Sequence, residues 1–218
     1  MLIHWHNFLV IIYKGEITMG VIIKESLVYN DDDSYERLRK EEEYLEYIKN
    51  HISNVKKAYV LYFAPLLDKD NICSTVSDED LKKAIIDLAQ IIDTHDASKF
   101  SDSEFDAYRA KYYPTNREEY DDELKEEMED RYQDAWRHHY ETNDHHPEHW
   151  VDPVTKVPKD MELRAIIELL CDWEAMSLRF NTNTLNWYEN DAKDEKNALS
   201  TRSREIIEDL LYHVMHTS

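Results

Sequence analysis

Ile91-Ile92-Asp93-Thr94-His95-Asp96-Ala97-Ser98-Lys99-Phe100 closes an apolar helical pattern with an adjacent histidine and aspartate. Upstream, Ile85, Leu88 and Ile92 recur at steps of three and four, the spacing of a core-facing stripe, and His95 is its next member. The pattern predicts a helix that carries the pair inward. An imidazole and a carboxylate side by side can serve one metal ion from a single rigid turn. A buried aspartate needs a cation or several donors to stay ionised, because desolvating an unpaired carboxylate is costly. For an isolated His-Asp dipeptide, a core histidine beside a helix-capping aspartate is the commoner arrangement. The rest of the chain decides between them.

The 218 residues suffice for one domain with a sizeable core. With only 2 Gly and 5 Pro, but abundant Glu, Lys, Leu and Ile, the composition favours helices over turn-rich sheets and predicts an all-α fold. Lys and Arg number 26 against 47 Asp and Glu, a formal charge of -21, which argues against a broad surface for nucleic-acid phosphates. Any anionic substrate must then be met locally. Two cysteines in unrelated contexts, Cys73 and Cys171, fit a reducing compartment, with the cytoplasm as the default. The apolar run Phe8-Leu9-Val10-Ile11-Ile12-Tyr13 is too short to span a bilayer and lacks the flanks of a signal peptide, so no membrane association is expected.

Residues 1–29 read as an N-terminal extension to a single domain over 30–218. Codons for Lys14-Gly15-Glu16 can spell a ribosome-binding sequence ahead of Met19, so translation is expected to begin at Met19, and His4 and His6 receive no functional weight. Asn30-Asp31-Asp32-Asp33-Ser34 is suited to start a helix. Along it Tyr44, Ile48, His51, Val55, Tyr59 and Tyr62 form a stripe that puts His51 inside, and Pro65 closes the segment. Ser77-Asp78-Glu79-Asp80 resembles a capping box that starts the helix leading to His95. Ser101-Asp102-Ser103-Glu104 looks like a further helix start, and the acidic interval 117–131 has the composition of a solvated helix or mobile surface segment.

Five histidines then fall within twelve residues, His138, His139, His145, His146 and His149, between Trp136 and Trp150. Imidazole is the commonest transition-metal ligand, the flanking tryptophans argue that the stretch packs, and Pro147 stiffens its turn. Asn143 and Glu148 are candidates to orient the ligands. From Met161 to Phe180 an apolar helix presents Ile166, Leu169, Leu170, Trp173 and Met176, with Asp172 entering the core or sitting at its edge to pair with Arg179. A closing amphipathic helix runs from Ser203 to Met215, and His213 and His216 read as surface residues. There is no internal repeat and no glycine-rich phosphate loop.

In chain order the candidates are His51, then His95-Asp96, then His139 with the His145-His146 pair, then Asp172. This ordered set resembles the HD superfamily of metal-dependent phosphohydrolases, and Lys99 completes a His-Asp-x-x-Lys pattern found in several of its branches. Trp136, Asn143, His145-His146-Pro147-Glu148 and Cys171-Asp172-Trp173-x-x-Met176 are similar to an uncharacterised phage and bacterial family of unknown function, over about residues 30–212. The resemblance implies an HD-like helical bundle. It implies one metal among His51, His95, Asp96 and Asp172, and a second completed by His139 with His145 or His146. His139 is preferred over His138 because Trp136 and Asn143 then share its helix face.

Asp96 and Lys99 are the expected catalytic residues, acting on a small phosphoester or nucleotide through a metal-activated water. The histidine-rich shell favours Mn, Fe, Co or Zn over Mg. Two other readings stand beside this one: an HD-like di-iron oxygenase, and a non-enzymatic acidic protein that mimics nucleic acid. The sequence leaves a homo-oligomeric state open.

Overall fold

A computed structural model of the chain describes residues 3–5, 8–13, 16–21 and 31–215. The expectations attached to Lys14, Gly15, Asn30, His6 and His216 lie outside the described residues. The chain divides into two units, Met1–Leu38 and Arg39–Ser218. In the first, β1 (Ile3–Trp5), β2 (Phe8–Tyr13) and β3 (Glu16–Val21) form an antiparallel meander in which Ile3 pairs with Val10 and Phe8 with Val21. The apolar run at 8–13 is rich in the β-branched and aromatic residues that strands favour.

The second unit is all-α. Helix α1 (Asp31–Ala58) enters it and continues through a wide turn at Tyr59–Phe63 and a tight one at Ala64–Asp68, where Pro65 sits at the start because it has no N–H to leave unpaired. Then follow α2 (Asp78–Ile91), α3 (Phe105–Tyr112), α4 (Asn116–Tyr120), α5 (Asp122–Thr142) and α6 (Leu163–Phe180). The chain ends in α7 (Thr184–Asn190), α8 (Lys193–Ala198) and α9 (Thr201–Leu210). Ser77 caps α2: its hydroxyl oxygen accepts from the Asp80 N–H at 3.1 Å, and its O–H donates to the Asp80 carboxylate at 2.6 Å. Among the described residues no helix is long and apolar enough to cross a membrane.

Two apolar clusters organise the helical unit. In the larger, α6 lies against α2, α7 and α9 through Leu81, Ile85, Leu88, Ile166, Leu170 and Ile207, all at 0 % exposure. In the smaller, α3 and α5 meet around Tyr44, Ile48, Tyr108 and Ala135. Helix α1 feeds both, since Tyr44 and Ile48 belong to the smaller cluster and Val55 and Ala58 to the larger. His51 is the member of its stripe at the changeover. The polar site is built there, where two apolar cores leave a seam.

The acidic interval 117–131 is only partly the solvated segment its composition indicates. Glu119, Asp122, Glu123, Glu126, Glu127 and Asp130 are exposed on α4 and α5. Glu118 is different: it closes a capping box with Thr115 and accepts from Arg109 Nη1 at 2.5 Å and Nη2 at 2.7 Å. Arg109 has 0 % exposure and also donates to Asp106 at 2.9 Å, so this pair fastens the α3–α4 corner.

Candidate metal centre

Helix α2 stops at Ile91, one residue short of its apolar stripe's last member, and a tight turn at Ile92–Thr94 delivers His95 in extended backbone. Asp96 follows with φ 55° and ψ 22°, a left-handed conformation. Aspartate tolerates this region better than most residues, yet it still carries a conformational cost of about 1 kcal/mol or more. The consequence is geometric. Neighbours in a helix diverge by about a quarter turn or more, whereas this broken backbone sends His95 and Asp96 into the same seam, at 2 % and 1 % exposure.

Around Asp96 the donor atoms fall into two groups. His51 Nε2 lies 3.5 Å from Asp96 Oδ2, 3.3 Å from His95 Nε2 and 2.9 Å from Asp172 Oδ1. His95 Nε2 is 3.6 Å from Asp96 Oδ2 and 3.9 Å from Asp172 Oδ1. On the other side, Asp96 Oδ1 is 3.2 Å from His139 Nε2 and 3.5 Å from His145 Nε2. His146 completes that group, whose donor atoms all lie within 4.8 Å of one another. Ligands bonded to one transition-metal ion at roughly 2.0–2.2 Å stand roughly 2.8–3.6 Å apart when tetrahedral or octahedral. Both groups come close to that spacing, and Asp96 offers one oxygen to each.

The unsatisfied atoms tell the same story. Asp96 Oδ1, His139 Nε2, His145 Nε2 and His146 Nε2 are all buried without a hydrogen-bond partner. Each such atom costs about 1–3 kcal/mol unless something compensates, and the four belong to residues whose donor atoms lie within 4.8 Å of one another. A cation there would satisfy all four. Buried His and Asp groups in this chain could therefore hold a metal ion.

Carboxylates behind the rings fix which nitrogen faces the seam. Glu168 on α6 lies 2.9 Å from His95 Nδ1 and 3.5 Å from His145 Nδ1, and Glu104 lies 2.9 Å from His139 Nδ1. An ionised carboxylate only accepts, so each Nδ1 carries the proton and each Nε2 presents its lone pair inward. Asn143 adds a bond from its side-chain amide to the His139 carbonyl at 2.8 Å and another to Ser98 Oγ at 2.8 Å. Arg164 holds Glu168 from behind at 2.8 Å.

Electrostatics follows from this crowding. Burial would raise the Asp96 pKa, but the Lys99 ammonium 2.5 Å away, with His95, His139 and His51, holds it well below the usual carboxylate range. Asp172 is likewise lowered, its burial outweighed by His51, and Glu168 is lowered to about 2 against its burial by His145 and His95. The Lys99 pKa is raised by Asp96 despite burial. Burial lowers His95 and His146, whereas His51 rises to about 9 because Asp172 and Asp96 outweigh its burial. Burial pushes the Glu148 carboxyl up, with help from the charge of Glu195.

Two cavities adjoin the cluster. One, of about 280 Å³, is lined by His51, Tyr47, Asn50, Tyr113 and Arg179. The Arg179 guanidinium lies over the Tyr47 ring, 4.0 Å from its centroid. The other, of about 360 Å³, is bordered by His146 and Asp172 and walled by aromatic side chains.

Every metal-ligand candidate read from the sequence, His51, His95, Asp96, His139, His145, His146 and Asp172, lies in this one seam. His145 and His146 both belong to the same group. His138 stays apart, its side chain 43 % exposed and bonded to Glu104 at 2.7 Å. His149 is exposed and bonds the Tyr140 carbonyl, and the exposed His213 side chain pairs with Asp209. Asp172 pairs with His51, and Arg179 turns to Tyr47. Glu104 and Glu168 escaped sequence reading, one looking like a helix-start acid and the other like one more polar residue of α6. Their signal is that a histidine ligand needs a carboxylate or carbonyl behind it.

Replacing Glu168 by alanine removes the acceptor behind two rings and is expected to weaken metal affinity by about 10–100-fold. Competition against a chromophoric chelator reads this directly. An affinity equal to wild type would rule out the orienting role.

No curated protein and no solved structure matches the chain. One family model does match, over residues 40–213, which takes in every residue of the cluster, and the chain accordingly belongs to a family of unknown function, DUF5662.

Proposed function

We propose that this protein is an HD-type metal-dependent phosphohydrolase acting on a small phosphoester or nucleotide. The observation that carries the reading is the sharing of Asp96 between two donor groups, Oδ2 toward His51 and His95, which Asp172 also meets, and Oδ1 toward His139 and His145, with His146 in the same group. Mn, Fe, Co or Zn suit the imidazole-rich shell better than Mg. A divalent cation held there supplies the charge that polarises a phosphoryl oxygen and lowers the pKa of water toward neutrality.

The chain's own groups do the rest. Asp96 stays ionised and orients the attacking water in line with the phosphorus. As the new P–O bond forms, the bond to the leaving oxygen breaks and that oxygen takes the water's proton. Lys99, 12 % exposed and 2.5 Å from Asp96, neutralises the charge that builds on the phosphoryl oxygens. Arg179 adds a second cation at the adjoining cavity, where Glu43 and Glu46 also lie. The setting proposed for this activity is the cytoplasm, on a free small molecule.

Lys99→Ala is expected to lower phosphoester turnover by about 10²–10³-fold while metal content stays at the wild-type level. Phosphate release with Mn(II)-loaded protein and a parallel metal assay separate the two. Full activity in the variant would remove Lys99 from the mechanism. A second reading, a di-iron oxygenase, draws on the same bridging carboxylate and imidazole shell; iron with a visible absorption band that changes in air would favour it. Acidic mimicry of nucleic acid has less support, since it gives no reason for inward histidines backed by buried carboxylates.

A further inference from the structure

The 360 Å³ cavity beside His146 and Asp172 has a mixed lining. His146 and Asp172 of the cluster share it with the aromatic rings of Trp136, Trp173, Trp187 and Phe180 and with the carboxylates of Glu148 and Glu195. Trp173 and Trp187 meet edge to face at 5.1 Å, and Trp136 meets His146 edge to face at 5.1 Å. Phe180 is 60 % exposed, an apolar cost that a flat ligand would relieve. The volume falls within the range of about 300–1,000 Å³ typical of ligand cavities. Indoles tolerate any flat ring, and stacking a base on an aromatic side chain contributes about 1–3 kcal/mol.

Charge sets the direction of the ligand. Glu148 and Glu195 repel a phosphate, whereas a cation held by the cluster would attract it, which assigns the anionic end to the cluster and the ring to the tryptophans. Carboxylates accept from amino groups on a base edge. Resting on the phosphoester reading above, we infer that this cavity seats the leaving group of the substrate and that the leaving group is an amino-bearing nucleoside, with Glu148 and Glu195 as the acceptors that select it. The smaller cavity at His51 has Tyr47 and Tyr113 in place of the tryptophans and holds Arg179 beside Glu43 and Glu46.

Free nucleosides test the cavity without any hydrolysis. Tryptophan fluorescence of the full-length protein is titrated with adenosine, with purine riboside, which has the same ring without the amino group, and with ribose. Adenosine is expected to quench with a dissociation constant about 10-fold below that of purine riboside, the scale of a hydrogen bond to a charged group, and ribose to leave the signal unchanged. Phe180→Ala, at an exposed position, and Trp187→Leu should each weaken adenosine, and Glu148→Ala should erase its advantage over purine riboside. Equal affinity for adenosine and purine riboside, or no quenching by either, would overturn the inference. Phosphate release from ribose 5-phosphate and from adenosine 5′-monophosphate separates the two levels. Ring-dependent binding without release from either sinks the phosphohydrolase reading alone, whereas equal release from both with no ring-dependent binding sinks the cavity assignment alone.

Discussion

Asp96→Ala is expected to abolish both the proposed metal-dependent activity and any metal-dependent gain in thermal stability. Asp96 turns one oxygen toward each donor group, so its loss removes a donor from both. A ligand that binds only the folded state at 100 times its dissociation constant stabilises by about 2.7 kcal/mol. For a domain of this size that corresponds to a rise in Tm of roughly 5–11 °C. Wild type should show this rise on addition of Mn(II) or Zn(II), and Asp96→Ala should show little of it. Phosphoester turnover should fall in the variant by about 10³-fold or more, beyond the loss of a single stabilising donor. His139→Ala touches only one group and should keep part of the stabilisation. A full metal-induced rise in Tm in Asp96→Ala would mean that the ion sits elsewhere.

Arg109→Met is expected to destabilise the fold while leaving metal binding unchanged. Arg109 is buried at 0 % exposure between Glu118 and Asp106, and methionine fills much of its volume while removing every donor. Removing one partner of a buried ion pair typically costs about 3–5 kcal/mol. Glu118 and Asp106 retain some contact with water, which sets the expectation at the lower end, about 3 kcal/mol or roughly 6–12 °C in Tm. Differential scanning calorimetry at fixed metal concentration measures it. A shift under about 2 °C would show that the α3–α4 corner relaxes and resolvates both carboxylates.

The helical class was legible because hydrophobic periodicity is a local property. The stripes through Tyr44, Ile48, His51 and Val55, and through Ile166, Leu169 and Leu170, are buried as their spacing requires. The convergence of His51, His95-Asp96, His139, His145, His146 and Asp172 could be read because polar residues on apolar stripes need a common partner. What could not be read depends on backbone detail or on long-range pairing. Periodicity carried the α2 helix through His95, whereas the structure breaks it at Ile91 and turns Asp96 left-handed, and it is the break that lets two adjacent side chains share one seam. Glu168 lies 73 residues from His95, so its role appears only once α6 packs on α2. Glu118 looked like one more solvated acid because its partner Arg109 lies in a different helix.

Metal content decides the central claim. Plasma mass spectrometry on protein purified without a metal-binding tag, wild type beside the His95→Ala, Asp96→Ala double variant, should give near-stoichiometric transition metal, one or two ions per chain, in wild type and loss of that metal in the variant. No metal in wild type after reconstitution with Mn, Fe, Co and Zn, or equal metal in both proteins, would contradict the account and return these histidines to structural duty.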